Sequence, residues 1–259
     1  MELPAALDPL AALPAHAAFC VDYDGSLAPI VGDPAAARPL GAALDALGRL
    51  ATRLGRVAVV SGRPVAFLAA QLPVAGVSLV GLYGLERLED GERWVDPRAA
   101  AWVPAVAAAA DELVARLPGV LVERKGDLAV TVHWRTTPAR AEEAMQAASD
   151  VSAARGLESP MRGRMAMELR PPIPVDKGSA VESLVGGMHA AAFAGDDDGD
   201  VPAFAALAHL HREGRLGAAV SIGVSSPEVP DAVLDADVVV DGPRGLADLM
   251  DALADAAGA

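Results

Sequence analysis

Cysteine occurs once, at Cys20, so no disulfide can form within the chain, and the apolar residues around it assign that thiol to a core. Positive charge is scarce: 21 Lys and Arg stand against 35 Asp and Glu, for a net charge of −14. Nucleic-acid and anionic-membrane surfaces need clustered cations, so neither is expected as a partner, and an anionic substrate would have to meet a local reversal of potential. No Lys or Arg precedes Arg38 and prolines interrupt the opening MELPAALDPLAALPAHAAF, which is not the pattern of a secretory signal. Long hydrophobic runs are also missing. The longest, Ala99 to Ala110, is mostly alanine and too short to cross a bilayer. Aromatics make up only 3% of the residues although 53% are hydrophobic, so a core of Ala, Val and Leu is expected. A soluble, cytoplasmic globular protein is expected, and a monomer, and 259 residues allow one large domain or two.

What the chain does contain is alternation. Short apolar runs bounded by turn residues alternate with stretches of helical period, the pattern of a parallel sheet covered on both faces. Strands are expected at 17–22, 56–62 and 78–84, with a helix carrying Leu40, Leu44, Leu47, Leu50 and Leu54 after the first. From 99 to 170 the order changes. A helix over 99–116 leads to strands near 120–125 and 128–134 that turn at Gly126-Asp127. A second helix over 138–155, with Thr137 as cap and Pro138 at its first position, leads to strands near 157–161 and 165–169 that turn at Arg162-Gly163. The parallel pattern then returns as helix 177–189, strand 190–196, helix 201–213, strands 218–224 and 236–242, and a last helix. The expected architecture is α/β: a Rossmann-like parallel-sheet core from residues 1–98 and 173–259, interrupted by an α-β-β-α-β-β insertion at 99–172.

Ligands of open parallel sheets bind outside the carboxyl ends of the strands. There the chain places Asp22 and Asp24 in FCVDYDGS, Ser61 in VVSGR, and Asp196, Asp197, Asp198 and Asp200 in GDDDGDVPAF. Taken alone, DYDGS is equally an Asp-rich turn. A calcium loop does not fit the second cluster, because Gly199 at its sixth position would put Ala194 first and Ala205 twelfth, and neither supplies a carboxylate. Carboxylates crowded at neighbouring strand ends repel unless a cation lies among them, and Mg²⁺, held by a few carboxylates together with substrate phosphate, resolves the conflict. Phosphoryl transfer is the chemistry that follows. Asp22 could attack phosphorus, Asp24 could serve as acid and then base, Ser61 could donate to the phosphate, and Lys177 could neutralise it. Read by itself, Lys177 is equally an exposed lysine at a helix start.

The order DYDGS, SGR, a lone Lys and GDDDGD resembles the four-motif signature of the haloacid-dehalogenase superfamily of aspartate-nucleophile phosphatases. Within it the chain is similar to the trehalose-6-phosphate phosphatases, through VVSGRP at 59–64, GLYGLE at 81–86, VERKGDLAVTVHWR at 122–135, RMAMELRPP at 164–172 and the GDDxxD spacing at 195–200. The resemblance implies a haloacid-dehalogenase core with the insertion as cap, Asp22 as nucleophile and Asp24 as acid/base. It also implies Mg²⁺ held by Asp22, the main-chain carbonyl of Asp24 and Asp196, with Asp200 in support. Ser61, Gly62 and Arg63 form the second motif, as phosphate donor and substrate contacts. The chain departs from many relatives at Leu82-Tyr83-Gly84-Leu85-Glu86, where they carry Asn-His-Gly-Ala-Glu, and at Gly199, where they carry Thr.

Strand alternation reads the insertion independently. Glu123 and Lys125 share one face with Arg124 opposite; Leu128, Val130, Val132 and Trp134 oppose Thr131, His133 and Arg135; Met165, Met167 and Leu169 alternate with Ala166, Glu168 and Arg170. The apolar sets should pack on the two inserted helices, which leaves a polar face that ordinary solvation would explain. The resemblance implies instead that Glu123, Lys125 and Glu168 grip a sugar, while His133 reads as a hydrogen-bonded strand residue and not a metal ligand. The expected activity is hydrolysis of trehalose 6-phosphate. Its alternatives are another sugar phosphate, such as sucrose phosphate or mannosyl-phosphoglycerate, and a non-hydrolytic module that accepts a phosphoryl group as a switch.

Overall fold

The computed structural model describes residues 1–158, 161–163 in their backbone, 165–226 and 229–258. The chain runs through α1 (Asp8–Ala12), β1 (Ala17–Val21), α2 (Gly41–Ala51), β2 (Arg56–Val60), α3 (Val65–Gln71), β3 (Val77–Gly81), β4 (Glu86–Glu89) and β5 (Glu92–Val95). It continues through α4 (Val103–Arg116), β6 (Leu121–Lys125), β7 (Ala129–His133), α5 (Ala141–Arg155), β8 (Met161–Gly163) and β9 (Ala166–Leu169). The last part holds α6 (Lys177–Leu184), β10 (Ala190–Gly195), α7 (Val201–Arg212), β11 (Ala218–Ser225), α8 (Asp231–Leu234), β12 (Val238–Asp241) and α9 (Gly242–Ala256). Two compact units result: Met1–Trp94 with Val175–Ala259, and Val95–Pro174. Among the described residues no helix is long and apolar enough to cross a membrane.

The larger unit is built on an eight-stranded sheet in the order β12-β11-β10-β1-β2-β3-β4-β5. Its strands are parallel from β12 to β3, and β4 turns antiparallel to β3. All five residues of β1 are buried, which is why it reads as an unbroken apolar run. Phe19 and Val21 face a layer that includes Leu47 and Leu50 of α2 and Leu249 and Leu253 of α9. Ala18 and Cys20 face Val181 and Leu184 of α6 and Leu207 of α7. Burial pushes the Cys20 thiol up to about 12, so it packs as a small apolar group. With few aromatics available, close approach does the packing. A Cβ on Gly178 of α6 would lie 2.6 Å from the Pro202 carbonyl of α7, so these two helices touch backbone to backbone.

The α/β class and the parallel order are as the sequence predicts, but several details differ. Strand β3 stops at Gly81, and residues 82–84 form a 3-10 turn in place of the strand's expected end. The hairpin β4–β5 was not anticipated, although Asp90-Gly91 between ERLE and ERWV carries its signal: both residues have positive φ (50° and 82°), as a two-residue type I′ turn requires. The helix expected over 177–189 ends at Leu184.

The unit Val95–Pro174 is an antiparallel sheet in the order β6-β7-β9-β8. Val130, Val132, Trp134 and Leu169 pack on Val106 and Leu113 of α4 and on Ala148 and Val151 of α5, in keeping with the alternation. Arg162 and Gly163, expected as the second turn, lie instead inside β8, paired with Met167 and Ala166. The positive φ of that hairpin falls on Met165 (52°), so the glycine marked the turn two residues early. The strand expected near 157–161 overlaps residues 159–160, which lie outside the described residues. Thr137 precedes Pro138 as expected but makes no capping hydrogen bond; Pro138–Arg140 form a 3-10 turn and α5 starts at Ala141.

The α6–α7 contact predicts a contrast between two glycines. Gly178→Ala must push two backbones apart and should cost about 1–3 kcal/mol, read as a lower midpoint in urea unfolding. Gly41→Ala, at a helix start with no atom within 4 Å of the added carbon, should instead raise stability by about 0.5 kcal/mol.

Candidate active site

Strands β10, β1 and β2 are neighbours in the sheet, so the residues that follow them emerge side by side at its carboxyl edge. Asp22 prolongs the ladder past β1 by donating its N–H to the Ala194 carbonyl at 2.9 Å. After β10 the chain turns tightly. Asp200 accepts hydrogen bonds through Oδ2 from the N–H groups of Asp196 (2.8 Å) and Asp197 (3.1 Å), and Asp197 accepts one from Gly199 (2.9 Å). Two glycines make room for these carboxylates: a Cβ on Gly195 would sit 2.2 Å from Asp200, and one on Gly25, whose φ is +90°, would sit 2.0 Å from Asp196.

Lys177 closes the group. Its Nζ donates to Asp22 Oδ1 and to Asp200 Oδ1, each at 2.6 Å. At 4% exposure it is not the exposed helix-start lysine that its position alone suggests. Its helix starts there because Asp176 and Ser179 form a reciprocal capping box, with Asp176 Oδ1 taking the Ser179 N–H at 2.7 Å.

Asp22, Asp196 and Asp200 each offer a carboxylate oxygen within 4.8 Å of the others, and all three are buried. Burial pushes the Asp22 carboxyl well above its usual range; Lys177 opposes this, and Asp200, Asp196 and Asp197 add to it. Asp200 is raised to about 6, again by burial first and against the pull of Lys177. For Lys177 burial disfavours the ammonium, but Asp200 and Asp22 outweigh it and carry its pKa well above normal. With all three carboxylates ionised, one lysine would leave two negative charges to balance, and oxygen ligands of this kind suit a divalent hard cation. The residues therefore fit a metal such as Mg²⁺.

Asp24 is not part of that carboxylate group. Both its oxygens are taken by Arg63, from Nε at 2.7 Å and Nη2 at 2.9 Å, and the guanidinium lies 4.5 Å over the Phe67 ring. Any share in a metal site would fall to its main-chain carbonyl. Arg63, expected as a substrate contact, is thus engaged with the expected acid/base. Ser61 is buried after β2, and its Oγ accepts the Arg63 N–H at 3.2 Å, which leaves the hydroxyl proton to point elsewhere.

Sequence reasoning did not foresee the Asp24–Arg63 pair or the part played by Tyr83. Leu82 and Tyr83 are consecutive non-glycine residues with positive φ (49° and 59°), held by hydrogen bonds from their N–H groups to Arg63 and Ser61 carbonyls. Gly62 has no side chain because a Cβ would lie 2.6 Å from the Tyr83 hydroxyl. Glu86, the last residue of GLYGLE, accepts the Val65 N–H at 3.1 Å and so anchors the start of α3.

In the unit Val95–Pro174, Lys125 Nζ donates to Glu168 Oε2 at 2.5 Å and Thr131 Oγ1 donates to the same oxygen at 3.1 Å. Lys125, Thr131 and Glu168 are only 9%, 3% and 5% exposed, so simple solvation does not describe the middle of this polar face. On the same strand as Lys125, Glu123 Oε2 lies 2.7 Å from His133 Nε2.

A family model described as trehalose-phosphatase matches residues 20–241. Trehalose-phosphate phosphatases of Mycobacterium avium (strain 104) and Mycolicibacterium paratuberculosis (strain ATCC BAA-968 / K-10) are 35% and 36% identical over 254 and 255 residues; each alignment covers 93% of this chain. The chain spans 62% of the length of these relatives. The solved C-terminal domain of C. albicans trehalose-6-phosphate phosphatase superposes with a TM-score of 0.77 at 25% identity, covering 98% of both chains. A haloacid dehalogenase-like hydrolase from Bacteroides thetaiotaomicron shares the fold, with a TM-score of 0.62 at 16% identity over 91% of this chain and 98% of its own. Since the family match runs from Cys20 within β1 to Asp241 at the end of β12, the chain belongs to the trehalose-phosphatase family.

Proposed function

We propose that this chain hydrolyses trehalose 6-phosphate to trehalose and phosphate through an aspartyl-phosphate on Asp22. The observation that carries the reading is the buried Lys177 bridge to Asp22 and Asp200 beside Asp196, at the carboxyl edge of a parallel sheet. Family membership supports it.

The cycle has two halves. An Asp22 oxygen attacks phosphorus, an O–P bond forms, and the bond to the sugar oxygen breaks; Asp24 gives that oxygen its proton. Water then attacks phosphorus and passes a proton to Asp24, and the Asp22–phosphorus bond breaks. Both oxygens of Asp24 are held by Arg63. Proton donation by Asp24 in the first half requires the pair to separate. Ser61 donates its hydroxyl proton to a phosphoryl oxygen, and Lys177 offsets negative charge beside the nucleophile. Mg²⁺, held by Asp22, Asp196 and Asp200 with the Asp24 main-chain carbonyl, would supply further neutralisation of the phosphoryl oxygens. Glu123, Lys125 and Glu168 bind the sugar, since charged groups hydrogen-bond neutral hydroxyls strongly.

Phosphate release from a panel of sugar phosphates tests the substrate. Trehalose 6-phosphate should be turned over best, and preference for sucrose phosphate or mannosyl-phosphoglycerate would reassign the sugar. Activity should vanish in EDTA and return with added Mg²⁺, and Asp196→Asn should need far more metal for the same rate; full activity in metal-free buffer would sink the metal assignment.

The two aspartates should separate by acid-quench trapping. Asp22→Asn should trap no covalent phosphate. Asp24→Asn should lose ~10²–10⁴-fold in rate on a sugar phosphate but much less in phosphoenzyme formation from p-nitrophenyl phosphate, whose leaving group needs little protonation. Covalent phosphate on Asp22→Asn would move the nucleophile elsewhere.

A further inference from the structure

Strand β7 runs between β6 and β9, and the antiparallel register sets Glu123, Thr131 and Glu168 in one line across the three strands. Val130 and Val132, on either side of Thr131, pack with the helices; Thr131 points to the other face and is nevertheless buried. Its hydroxyl and the Lys125 ammonium both donate to Glu168 Oε2, whereas Glu168 Oε1 is buried and meets no hydrogen-bond partner among the described residues. A buried carboxylate oxygen without a donor is costly, and a ligand donor relieves that cost. One oxygen of Glu168 is therefore fixed from within the sheet and the other is left to accept from outside it. Two residues along the same strand and on the same face, His133 Nε2 meets Glu123 Oε2 at 2.7 Å. The middle strand thus docks one side chain on each flanking carboxylate.

We infer that Thr131 and His133 are positioning residues for sugar recognition: Thr131 aims Glu168 so that Oε1 accepts from a substrate hydroxyl, and His133 aims Glu123. The inference rests on the function proposed above. Neither residue takes part in the phosphoryl chemistry, so both act on the polyol portion of the substrate alone. A purely structural threonine or histidine would, by contrast, affect every substrate alike.

The test compares wild type, Thr131→Val, Thr131→Ser, His133→Phe and His133→Gln on trehalose 6-phosphate and on p-nitrophenyl phosphate, with urea unfolding run on each variant. Thr131→Val, which keeps shape but removes the donor, should raise KM for the sugar phosphate roughly 10-fold with little change in kcat, and Thr131→Ser should recover most of that loss. His133→Phe should act in the same direction and His133→Gln, which retains a donor, should be milder. The aryl phosphate should show wild-type KM throughout. Unchanged KM on the sugar phosphate, equal losses on both substrates, or no recovery with serine overturns the inference. Should the valine variant not fold, the His133 pair decides by the same criteria. Preferential turnover of a different sugar phosphate overturns the choice of trehalose 6-phosphate and moves the same comparison to that substrate; turnover of none overturns both readings.

Discussion

One ammonium group organises the core site. Lys177 joins Asp22, 155 residues before it, to Asp200, 23 residues after it, and it does so out of reach of water. Removing one partner from a buried ion pair typically costs about 3–5 kcal/mol because the other charge stays behind, so the surrounding geometry has to deliver all three groups together. The Asp176–Ser179 box sets where α6 begins, the bare Cα of Gly178 brings α7 alongside, and Gly195 lets the Asp200 carboxylate fold back onto its own turn. These are different local devices with one result: three charges held within hydrogen-bond distance at a sheet edge.

An acidic chain that binds an anion needs a place where its potential reverses. The net charge is −14, and the core cations that sequence reasoning assigned to the substrate, Lys177 and Arg63, are both bonded to aspartates. The protein's own side chains thus bring the site toward neutrality without making it positive. A divalent cation among Asp22, Asp196 and Asp200 would supply the excess, which is the physical reason that metal and phosphate belong together in such a site.

Much of this was legible in the sequence. Buried parallel strands announce themselves as unbroken apolar runs, so β1, β2, β10 and β11 were found to within one or two residues, and the clustered aspartates after β1 and β10 could be assigned to the same edge from the rule for parallel sheets. The β4–β5 hairpin is hard to read because its strands, ERLE and ERWV, are polar and short, which leaves Asp-Gly to mark it. Glycine is a misleading marker for the turn after β8, because Met165 adopts a positive φ there. Pairings between distant side chains were beyond sequence reasoning altogether. Asp24 with Arg63 depends on where β1 and β2 end relative to one another, and Thr131 with Glu168 depends on strand register, neither of which periodicity specifies.

The order of strands in the core sheet also bears on how the chain comes off the ribosome. Strand β1 lies between β10 and β2, and β10 begins at Ala190, after the whole of Val95–Pro174 has been made. At ~5–20 residues per second, roughly 8–35 s separate the emergence of β1 from that of its second neighbour. During that interval one edge of a fully apolar strand lacks its native neighbour, while the inserted unit, a compact unit of 80 consecutive residues, is already complete in sequence. The sheet that carries Thr131 and Glu168 is thus made before the core sheet can be completed, and the site around Asp22 can close only after Asp196 and Asp200 have been added.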